Sequence, residues 1–564
     1  MANNKSTSDK FFEKIPPAFS WFLILFPFWG GFFVPQITAY IVIVFNVYFL
    51  YRSASFLVFF LIGYRQLRKS ESIDWLNRLM EIDNIDKAIN DIKQKMSAIE
   101  SAVYTPQKDR KNRKTPPRFL QRIAFILERR KAKAFLNEEI ERLEKIKSNG
   151  TNFDWKELHH VVMIPHWKEP MNVLRDTLEN IKNSNYPTKK ISIMLGAEAR
   201  DPEGIEKSKQ LQRDFSQHFE NVWINSHELT ENEIIGKSSN MASAGKTVKA
   251  EIEKLGWDMK KTIITSCDAD SLLPQDYFAN VSYFYVTLKD STYKYFNSAI
   301  MFYANIWKLP FYARVKNSMS SIYNVSKLAR QDKFVPFSTY SVSFWMIDQI
   351  GYWTPWVTPE DYHLFFKGLF HFPDKVSAVP VFQTIMSDAA EGDTHVDTIK
   401  NTYFQERRWS WGVSDDGWLI KQTIKLLLAG KLTIRAAYKV AHVLFDHIIG
   451  ITMTIVIVIG GNIPLLINQQ FAGTVLGDNL PRVSSYMIRL TVYFLIALIM
   501  IDSFLLRPKN PDAKKDTVIR KLFRALEWFV LPYAGFLLVI LPGIEAHTRL
   551  LFGKYLEYYL TKKK

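Results

Sequence analysis

The chain has 564 residues and a formal charge of +17, and its only cysteine is Cys267. A single cysteine excludes an intrachain disulfide and a thiolate metal site. The basic residues flank apolar segments at the two ends of the chain, so we interpret the charge as attraction to a lipid bilayer and expect no nucleic-acid partner.

Residues 1–64 are predicted to form an N-terminal membrane region with two spans. Residues 19–34 and 37–51, with an extension over 54–64, are almost free of charge. A hydrocarbon core needs about 20 residues per helix, so the second span is predicted to be long or kinked. The apolar stretch is too long for a signal-peptide core, and we expect it to be retained.

Residues 65–157 are predicted to form a charged helical linker. Arg65, Arg68 and Lys69 indicate a cytoplasmic end to the second span. Apolar residues then recur at helical spacing on either side of Pro116 and Pro117, a pattern typical of two solvated surface helices.

Residues 158–415 are predicted to form an α/β domain. Short β-rich runs alternate there with helical stretches, and the runs cover residues 160–164, 191–195, 221–224 and 261–265. Such alternation favours a largely parallel sheet, and ligands of these sheets bind at the carboxyl ends of the strands. Chemistry is therefore expected in the residues that follow each run.

Residues 416–440 are predicted to lie in the membrane interface as basic amphipathic helices. Residues 441–564 form a C-terminal membrane region, with clear spans over about 444–466 and 486–506. Residues 507–524 hold seven Lys and Arg residues, whereas the loop between the spans has little positive charge. The positive-inside rule therefore predicts that 507–524 are cytoplasmic, on the same side as the α/β domain.

The last apolar run, residues 528–541, leaves two alternatives open. The run is short and contains Pro532, with Pro542 at its end. It either crosses once, which puts the basic tail outside, or it re-enters as a bent hairpin.

Asp268 and Asp270 are the strongest single chemical signal in the sequence. Two carboxylates one residue apart, directly after a β-rich run, can hold a hard cation that also binds phosphate oxygens. A helix N-cap followed by a turn aspartate would give the same sequence pattern, so the motif needs support from other residues.

That support comes from a resemblance to the family 2 inverting glycosyltransferases, especially the membrane synthases of cellulose and hyaluronan type. It covers roughly residues 158–412 and comprises five segments in the family's order. They are Ile164 to Pro170 with Glu169, Gly236 to Asn240 with Lys237, Asp268 with Asp270, Thr358 to Leu364 with Glu360 and Asp361, and Gln405 to Trp409 with Arg408. The resemblance implies a glycosyltransferase A-type (Rossmann-like) domain inserted between N- and C-terminal transmembrane helices.

The resemblance also implies roles for these residues. Asp361, with Glu360 beside it, would be catalytic, and Asp361 would be the general base that takes the acceptor hydroxyl's proton. Asp268 and Asp270 would hold Mg²⁺ or Mn²⁺, and Lys237 and Arg408 would neutralise the leaving diphosphate. Gln405 and Trp409 would lie beside the donor and acceptor, although Trp409 and Trp411 are equally typical of interface anchors.

Three segments depart from the family's pattern. Where the family has an aspartate near the nucleotide base, residues 191–195 run into Glu198, which is the expected substitute. Residues 337–341 replace the family's acceptor loop without its glycine, so the acceptor is expected to differ. His363 and His395 are possible further metal ligands, although a lone histidine is more often an ordinary hydrogen-bonding residue.

Three functions are compatible with the sequence. A nucleotide-diphosphate sugar could be used for processive polysaccharide synthesis coupled to export, which the Gln405 segment and the flanking spans favour. It could instead be used for a single transfer to a lipid-linked acceptor, which the small number of spans favours. The third, a membrane-anchored binding protein on an inactive fold, is disfavoured because all catalytic residue types are present. The expected location is a bacterial inner or plasma membrane.

Overall fold

The structure, a computed structural model, describes residues 6–101, 118–511, 517, 519, 523, 524 and 526–556. Pro116 and Pro117 lie outside the described residues, as do Lys514, Lys515, Arg520 and Lys521 of the basic loop and the tail of Lys562, Lys563 and Lys564.

The N-terminal elements are α1 Thr7–Phe33, α2 Pro35–Glu71, α3 Trp75–Met80, α4 Ile85–Ser101 and α5 Arg118–Asn149. The elements that follow are β1 His159–Pro165, α6 Met171–Lys182, β2 Ile191–Glu198, α7 Pro202–Phe215, β3 Asn221–His227, α8 Lys237–Leu255, β4 Thr262–Ser266, α9 Tyr277–Thr287, β5 Lys294–Met301, α10 Phe311–Leu328, β6 Tyr340–Ser343, α11 Phe344–Gln349, α12 Glu360–His371 and β7 Ser377–Met386. The C-terminal elements are α13 His395–Ser410, α14 Val413–Leu428, α15 Ile434–Gly460, α16 Ile463–Ile467, α17 Gln469–Ala472, α18 Val475–Ile501 and a C-terminal helix, Glu527–Leu551.

The described chain forms two compact units, one of which comprises Ile73–Leu158 and Phe278–Ser291. In that unit α4 and α5 pack through Ala88, Ile89, Ile92 and Leu143. Arg142 of α5 also pairs with Glu81 at 2.5 Å. The larger unit contains the sheet and the long apolar helices.

A seven-stranded mixed sheet is the core of the larger unit, with strand order β3-β2-β1-β4-β6-β5-β7. The four predicted strands are confirmed as β1 to β4, which pair in parallel. All residues of β2 and β4 are buried, which explains their nearly continuous apolar runs.

The other three strands were not predicted. β6 is only four residues long and runs antiparallel to both β4 and β5. β7 contains Pro380, which lacks the N–H that a central strand needs, and its place at the sheet edge accommodates this residue. The mixed direction of the sheet is therefore a finding of the structure.

The strand order reverses beside β1, and this reversal positions the site. β2 lies on one side of β1 and β4 on the other. The helices that follow two neighbouring strands then diverge to opposite faces and leave a crevice at the carboxyl ends. The segments after β1, β2 and β4 all open onto that crevice.

Within the described residues, five helices are long and apolar enough to cross a membrane: α1, α2, α15, residues 475–506 and the C-terminal helix. α2 is one helix of 37 residues that continues past Tyr64 to Glu71. It approaches the sheet region directly, because a Cβ at Gly63 would lie 2.4 Å from the Val325 carbonyl oxygen in α10.

The structure divides the amphipathic stretch differently from the sequence prediction. α14 ends at Leu428, and Gly430 adopts a φ of +64° in the turn that follows. α15 then begins at Ile434, so residues 434–440 are the start of a long apolar helix. Arg435 and Lys439 continue the basic pattern of the preceding stretch into the first turns of α15, so the sequence did not show this earlier start.

The last apolar run is continuously helical from Glu527 to Leu551. Its middle turn, Phe536–Ile540, is π-helical. The helix runs well beyond residue 541, where the sequence analysis ended the run, and it is long and apolar enough to cross a membrane.

Candidate active site

One cavity of about 1100 Å³ lies at the carboxyl ends of β1, β2 and β4. All ten predicted site residues line it. Nine of them come from the five sequence motifs, and the tenth, Glu198, is the last residue of β2. The ten residues are Glu169, Glu198, Lys237, Asp268, Asp270, Glu360, Asp361, Gln405, Arg408 and Trp409.

Lys237 stands at the centre of the charged residues. It is the first residue of α8, after Gly236 with a φ of +152° that favours glycine. Its Nζ lies 2.6 Å from Asp268 Oδ1 and 3.0 Å from Glu360 Oε1. Burial opposes the charge on Lys237, but the two carboxylates outweigh burial and raise its pKa well above the usual value.

The Asp268–Asp270 turn is held by its backbone. It follows β4, and the Ser271 N–H donates to the Asp268 carbonyl at 3.0 Å. Thr177 of α6 donates to the Ala269 carbonyl at 2.7 Å. The Asp388 N–H donates to Asp270 Oδ2 at 3.0 Å, which ties the turn to the segment after β7.

Ser338 connects the two acidic segments. Its hydroxyl donates to Asp268 Oδ2 at 2.5 Å, and its backbone N–H donates to Asp361 Oδ2 at 2.8 Å. Its φ of +57° is unusual for a residue with a side chain and lies in the region where glycine is favoured. The segment in which the sequence lacks an expected glycine therefore still adopts a glycine-like conformation.

Glu360 and Asp361 occupy the first turn of α12, a position that favours negative charge. The helix-start interpretation and the active-site interpretation of this segment are therefore compatible. Burial raises the pKa of Glu360, and the ion pair with Lys237 opposes that shift. Asp361 also accepts a hydrogen bond from the Tyr362 N–H at 2.8 Å.

Glu198 ends β2 in a network of polar contacts. It accepts from Asn240 Nδ2 at 3.1 Å, lies 3.3 Å from His227 Nδ1 and pairs with Arg200 at 3.3 Å. Burial acts to raise its pKa, but the hydrogen bonds from His227 and Asn240 outweigh burial and lower it. Glu198 is therefore held as a buried carboxylate.

Glu169 lies in the loop after β1 and accepts a hydrogen bond from the Trp167 N–H. The Trp167 ring is flanked by two cations, with Arg200 at 4.5 Å and Lys168 at 4.9 Å from its centroid. An aromatic face and two positive charges thus stand at the same end of the cavity as Glu169 and Glu198.

The Gln405 segment lies on α13, which packs beside the C-terminal helix. Arg407 and Tyr403 both contact Glu545 there, at 2.6 and 2.8 Å. Trp411 is buried against Ala546 and Leu550 of that helix. Trp411 thus packs α13 against the C-terminal helix, and its interpretation as a membrane-interface anchor stays a prediction.

Trp409 faces the cavity and is 41% exposed. Its ring lies 5.6 Å from that of Phe302, and Lys316 Nζ lies 4.7 Å from its centroid. Lys316 also pairs with Glu406, and both are buried. This buried pair was missed, since nothing in the sequence links residues 316 and 406.

Neither of the two histidines considered as metal ligands lines the cavity. His363 Nδ1 lies 2.8 Å from Asp415 Oδ2, and its ring packs on Trp418. His395 starts α13 and does not line the cavity. Within the residues that the structure describes, no group of three or more His, Cys, Asp or Glu side chains could hold a metal ion.

The two aspartates nevertheless suit one kind of metal site. Mg²⁺ is usually bound by one or two carboxylates together with substrate phosphate oxygens and water. Asp268 and Asp270 both line a cavity with room for a diphosphate. They fit a metal that arrives with a phosphorylated ligand.

No protein-family model and no curated protein matches the sequence. Among solved structures, a mannosyltransferase from Pyrobaculum calidifontis, in complex with GDP-Man and Mn²⁺, is 14% identical with a TM-score of 0.38, covering 70% of this chain and 88% of that one. TarS 1–349 of S. aureus, in complex with UDP-GlcNAc, is 10% identical with a TM-score of 0.31, covering 61% of this chain and 91% of that one. At this level of similarity, any assignment of function has to rest on the residues of the cavity.

Proposed function

We propose that the protein is a multi-pass membrane glycosyltransferase that transfers a sugar, with inversion, from a nucleotide-diphosphate sugar. The main support for the proposal is that the motifs of Lys237, Asp268 and Asp361 are in contact within the cavity. Lys237 contacts Asp268 and Glu360, and Ser338 joins Asp268 to Asp361. The A-type glycosyltransferase fold is part of the same proposal.

The donor would occupy the end of the cavity at β1, β2 and β4. Glu198, Glu169 and Arg200 stand where a nucleoside can be hydrogen-bonded, and the Trp167 face is nearby. Asp268 and Asp270 would hold Mg²⁺ or Mn²⁺, which would neutralise charge on the diphosphate. Lys237 would exchange its contact with Asp268 for the diphosphate.

Asp361 would act as the base. As the acceptor oxygen bonds to C1, its proton passes to the Asp361 carboxylate, and the C1–O bond to the diphosphate breaks with its electron pair leaving on the nucleotide. Hydrogen bonds from Ser338 and Tyr362 hold this carboxylate in place. Arg408, Gln405 and Trp409 line the same cavity and would contact the diphosphate and the acceptor.

The sheet is proposed to be cytoplasmic, on the same side as the basic loop after α18. Buried ion pairs support this arrangement. Arg507 pairs with Asp502 and with Glu527, and Glu527 pairs with Arg314 of α10 at 2.8 Å. The end of α18 and the start of the C-terminal helix thus meet the sheet region.

The resemblance favours processive polysaccharide synthesis coupled to export, and single transfer to a lipid-linked acceptor is the second candidate. The second candidate is favoured by the end of the cavity that residues of α10, α15 and the C-terminal helix line.

The test is incubation of the purified full-length protein with a panel of radiolabelled nucleotide sugars, with and without Mg²⁺ or Mn²⁺. We expect one donor to be consumed in a metal-dependent way. The matched control is Asp361→Asn. If no donor is bound or consumed under any condition, the proposal is wrong.

A further inference from the structure

The cavity extends beyond the proposed base to residues of three helices. α10 supplies Tyr323 and Lys327, α15 supplies His447, and the C-terminal helix supplies Leu531, Gly535 and Val539. Two of these helices are apolar enough to cross a membrane. The space next to Asp361 is therefore bounded by protein that would be in contact with lipid.

Lys327 places a positive charge at this end. Its Nζ lies 4.3 Å from the ring centroid of Phe337 and 5.6 Å from that of Tyr323. In the described part of the chain, Lys327 forms no salt bridge with a carboxylate. Burial lowers the pKa of this ammonium, and the nearby Asp361 opposes that shift.

His447 brings a second polar group to the same end. Its Nδ1 lies 2.8 Å from Asp416 Oδ1, and Asp416 is fully buried. The ring packs against Tyr362, with the centroids 5.8 Å apart. Because Asp416 occupies Nδ1, the Nε2 edge is the one that remains for a ligand in the cavity.

Leu531, Gly535 and Val539 form one face of the C-terminal helix, since they are spaced four residues apart. A Cβ at Gly535 would have no atom within 4 Å, so the space beside this residue is open. An apolar strip therefore runs from the two polar groups along a candidate membrane helix.

We propose that this end of the cavity binds an amphiphilic acceptor: a sugar joined through phosphate to a hydrocarbon chain. The phosphate lies between Lys327 and His447, and the chain lies along Leu531, Gly535 and Val539. The inference rests on the proposed function and names the acceptor class of the same site. The sugar hydroxyl loses its proton to Asp361 as its oxygen bonds to C1, and the nucleoside diphosphate leaves with the electron pair.

A buried cation is costly unless an anion compensates it, and a phosphate would supply that anion. A neutral polysaccharide would supply no anion to compensate this cation. Two of the aromatic rings at this end, Phe337 and Tyr323, lie against the Lys327 ammonium. The charge at this end thus favours an anionic acceptor over a neutral one.

The test uses the full-length protein in nanodiscs of neutral lipid with a donor that it consumes. The acceptors are a polyprenyl-diphosphate-linked monosaccharide, the same sugar on an uncharged alkyl chain, the sugar phosphate without hydrocarbon, and a neutral oligosaccharide. We expect only the first to be glycosylated efficiently, with the sugar phosphate at least about tenfold poorer in kcat/KM.

Substitutions of Lys327 and Gly535 test where the acceptor binds. Lys327→Met should raise the KM for the lipid acceptor by about tenfold or more, and Lys327→Arg should restore most of the loss. Gly535→Leu should fill the open space and have the same effect, whereas Leu537→Phe, on an exposed part of the same helix, should not. Donor binding by each variant shows that it has folded.

Use of the neutral oligosaccharide as efficiently as the lipid acceptor would overturn the inference, as would an unchanged acceptor KM in Lys327→Met. If the sugar phosphate without hydrocarbon is glycosylated as efficiently as the lipid acceptor, the inferred role of the hydrocarbon chain is wrong. Failure to consume any donor would instead refute the proposed function itself.

Discussion

Ser338 links the two carboxylates on which the proposed chemistry depends. Its side chain reaches Asp268 and its backbone reaches Asp361, at the cost of a left-handed conformation. Strained residues of this kind cost about 1–3 kcal/mol and persist where the surroundings hold them. One residue thus connects the donor-side carboxylate with the acceptor-side carboxylate.

Asp361 and Lys237 should respond differently to substitution. Asp361→Asn keeps the size of the side chain but cannot take a proton, so transfer should fall by about 10²–10⁴-fold while the donor's dissociation constant changes little. Lys237→Ala should weaken donor binding as well as rate, because its charge acts on the diphosphate before and during bond cleavage. Single-turnover kinetics and equilibrium donor binding measure the two effects.

If Asp361→Asn weakens donor binding as much as Lys237→Ala does, then Asp361 is a donor-side residue and the base lies elsewhere. Glu360 would become the next candidate.

Metal removal should abolish turnover. Excess EDTA should stop donor consumption, and Mg²⁺ or Mn²⁺ should restore it, because Asp268 and Asp270 offer only two carboxylates and need the ion to bind the diphosphate. The double variant Asp268→Asn with Asp270→Asn should behave like the chelated enzyme. Asp276→Asn, the same exchange at a residue that does not line the cavity, is the control. Full activity of the double variant would contradict the metal assignment.

At the scale of elements, the basic end of α18 is fixed to α10 by a buried ion network. Glu527 accepts from Arg507 at 2.6 Å and from Arg314 at 2.8 Å, and all three side chains are largely buried. Because buried charges are stable only when paired, this network makes the helices and the sheet region interdependent.

Glu527→Gln should therefore lower stability strongly, by about 3 kcal/mol or more, because two buried guanidinium groups lose their shared carboxylate. Asp478→Asn breaks the exposed pair with Arg482 and should cost about 1 kcal/mol or less. Melting temperatures in detergent compare the two. Similar melting temperatures for both variants would show that the network is not stabilising.

The elements that the sequence predicts well are those with strong local patterns. β1, β2 and β4 are buried parallel strands with nearly continuous apolar runs, and the apolar helices α1 and α2 are equally evident from the sequence. β6 and β7 escaped prediction because one is four residues long and the other contains Pro380. The start of α15 was misplaced because charged residues continue into its first turns.

The motifs predict which residues line the cavity, but not how they are joined. Lys237, Asp268 and Glu360 meet because α8 and α12 begin, and β4 ends, at one crevice, which depends on the strand order. The pairs Lys316–Glu406 and His447–Asp416 join residues far apart in the chain and leave no local signal. Such tertiary pairs could be found only in the structure.

The proposed function requires a defined membrane topology of the whole chain. In a Cys267→Ser background, cysteines at Glu203 and Lys509 should be labelled from the same side of the membrane and a cysteine at Asn479 from the other. Glu203 lies on the sheet region, Lys509 follows α18 and Asn479 lies near its start. Labelling of Lys509 and Asn479 from one side would contradict the proposed arrangement.

If the cavity transfers a sugar from a nucleotide donor with inversion, as proposed, the anomeric configuration of the product will show it. With an α-linked nucleotide sugar, the wild-type protein should form a β-linked product, because Asp361 directs the acceptor oxygen to the face of C1 opposite the diphosphate. NMR of the purified product reports the configuration. An α-linked product would contradict the account, as would wild-type turnover in Asp361→Asn.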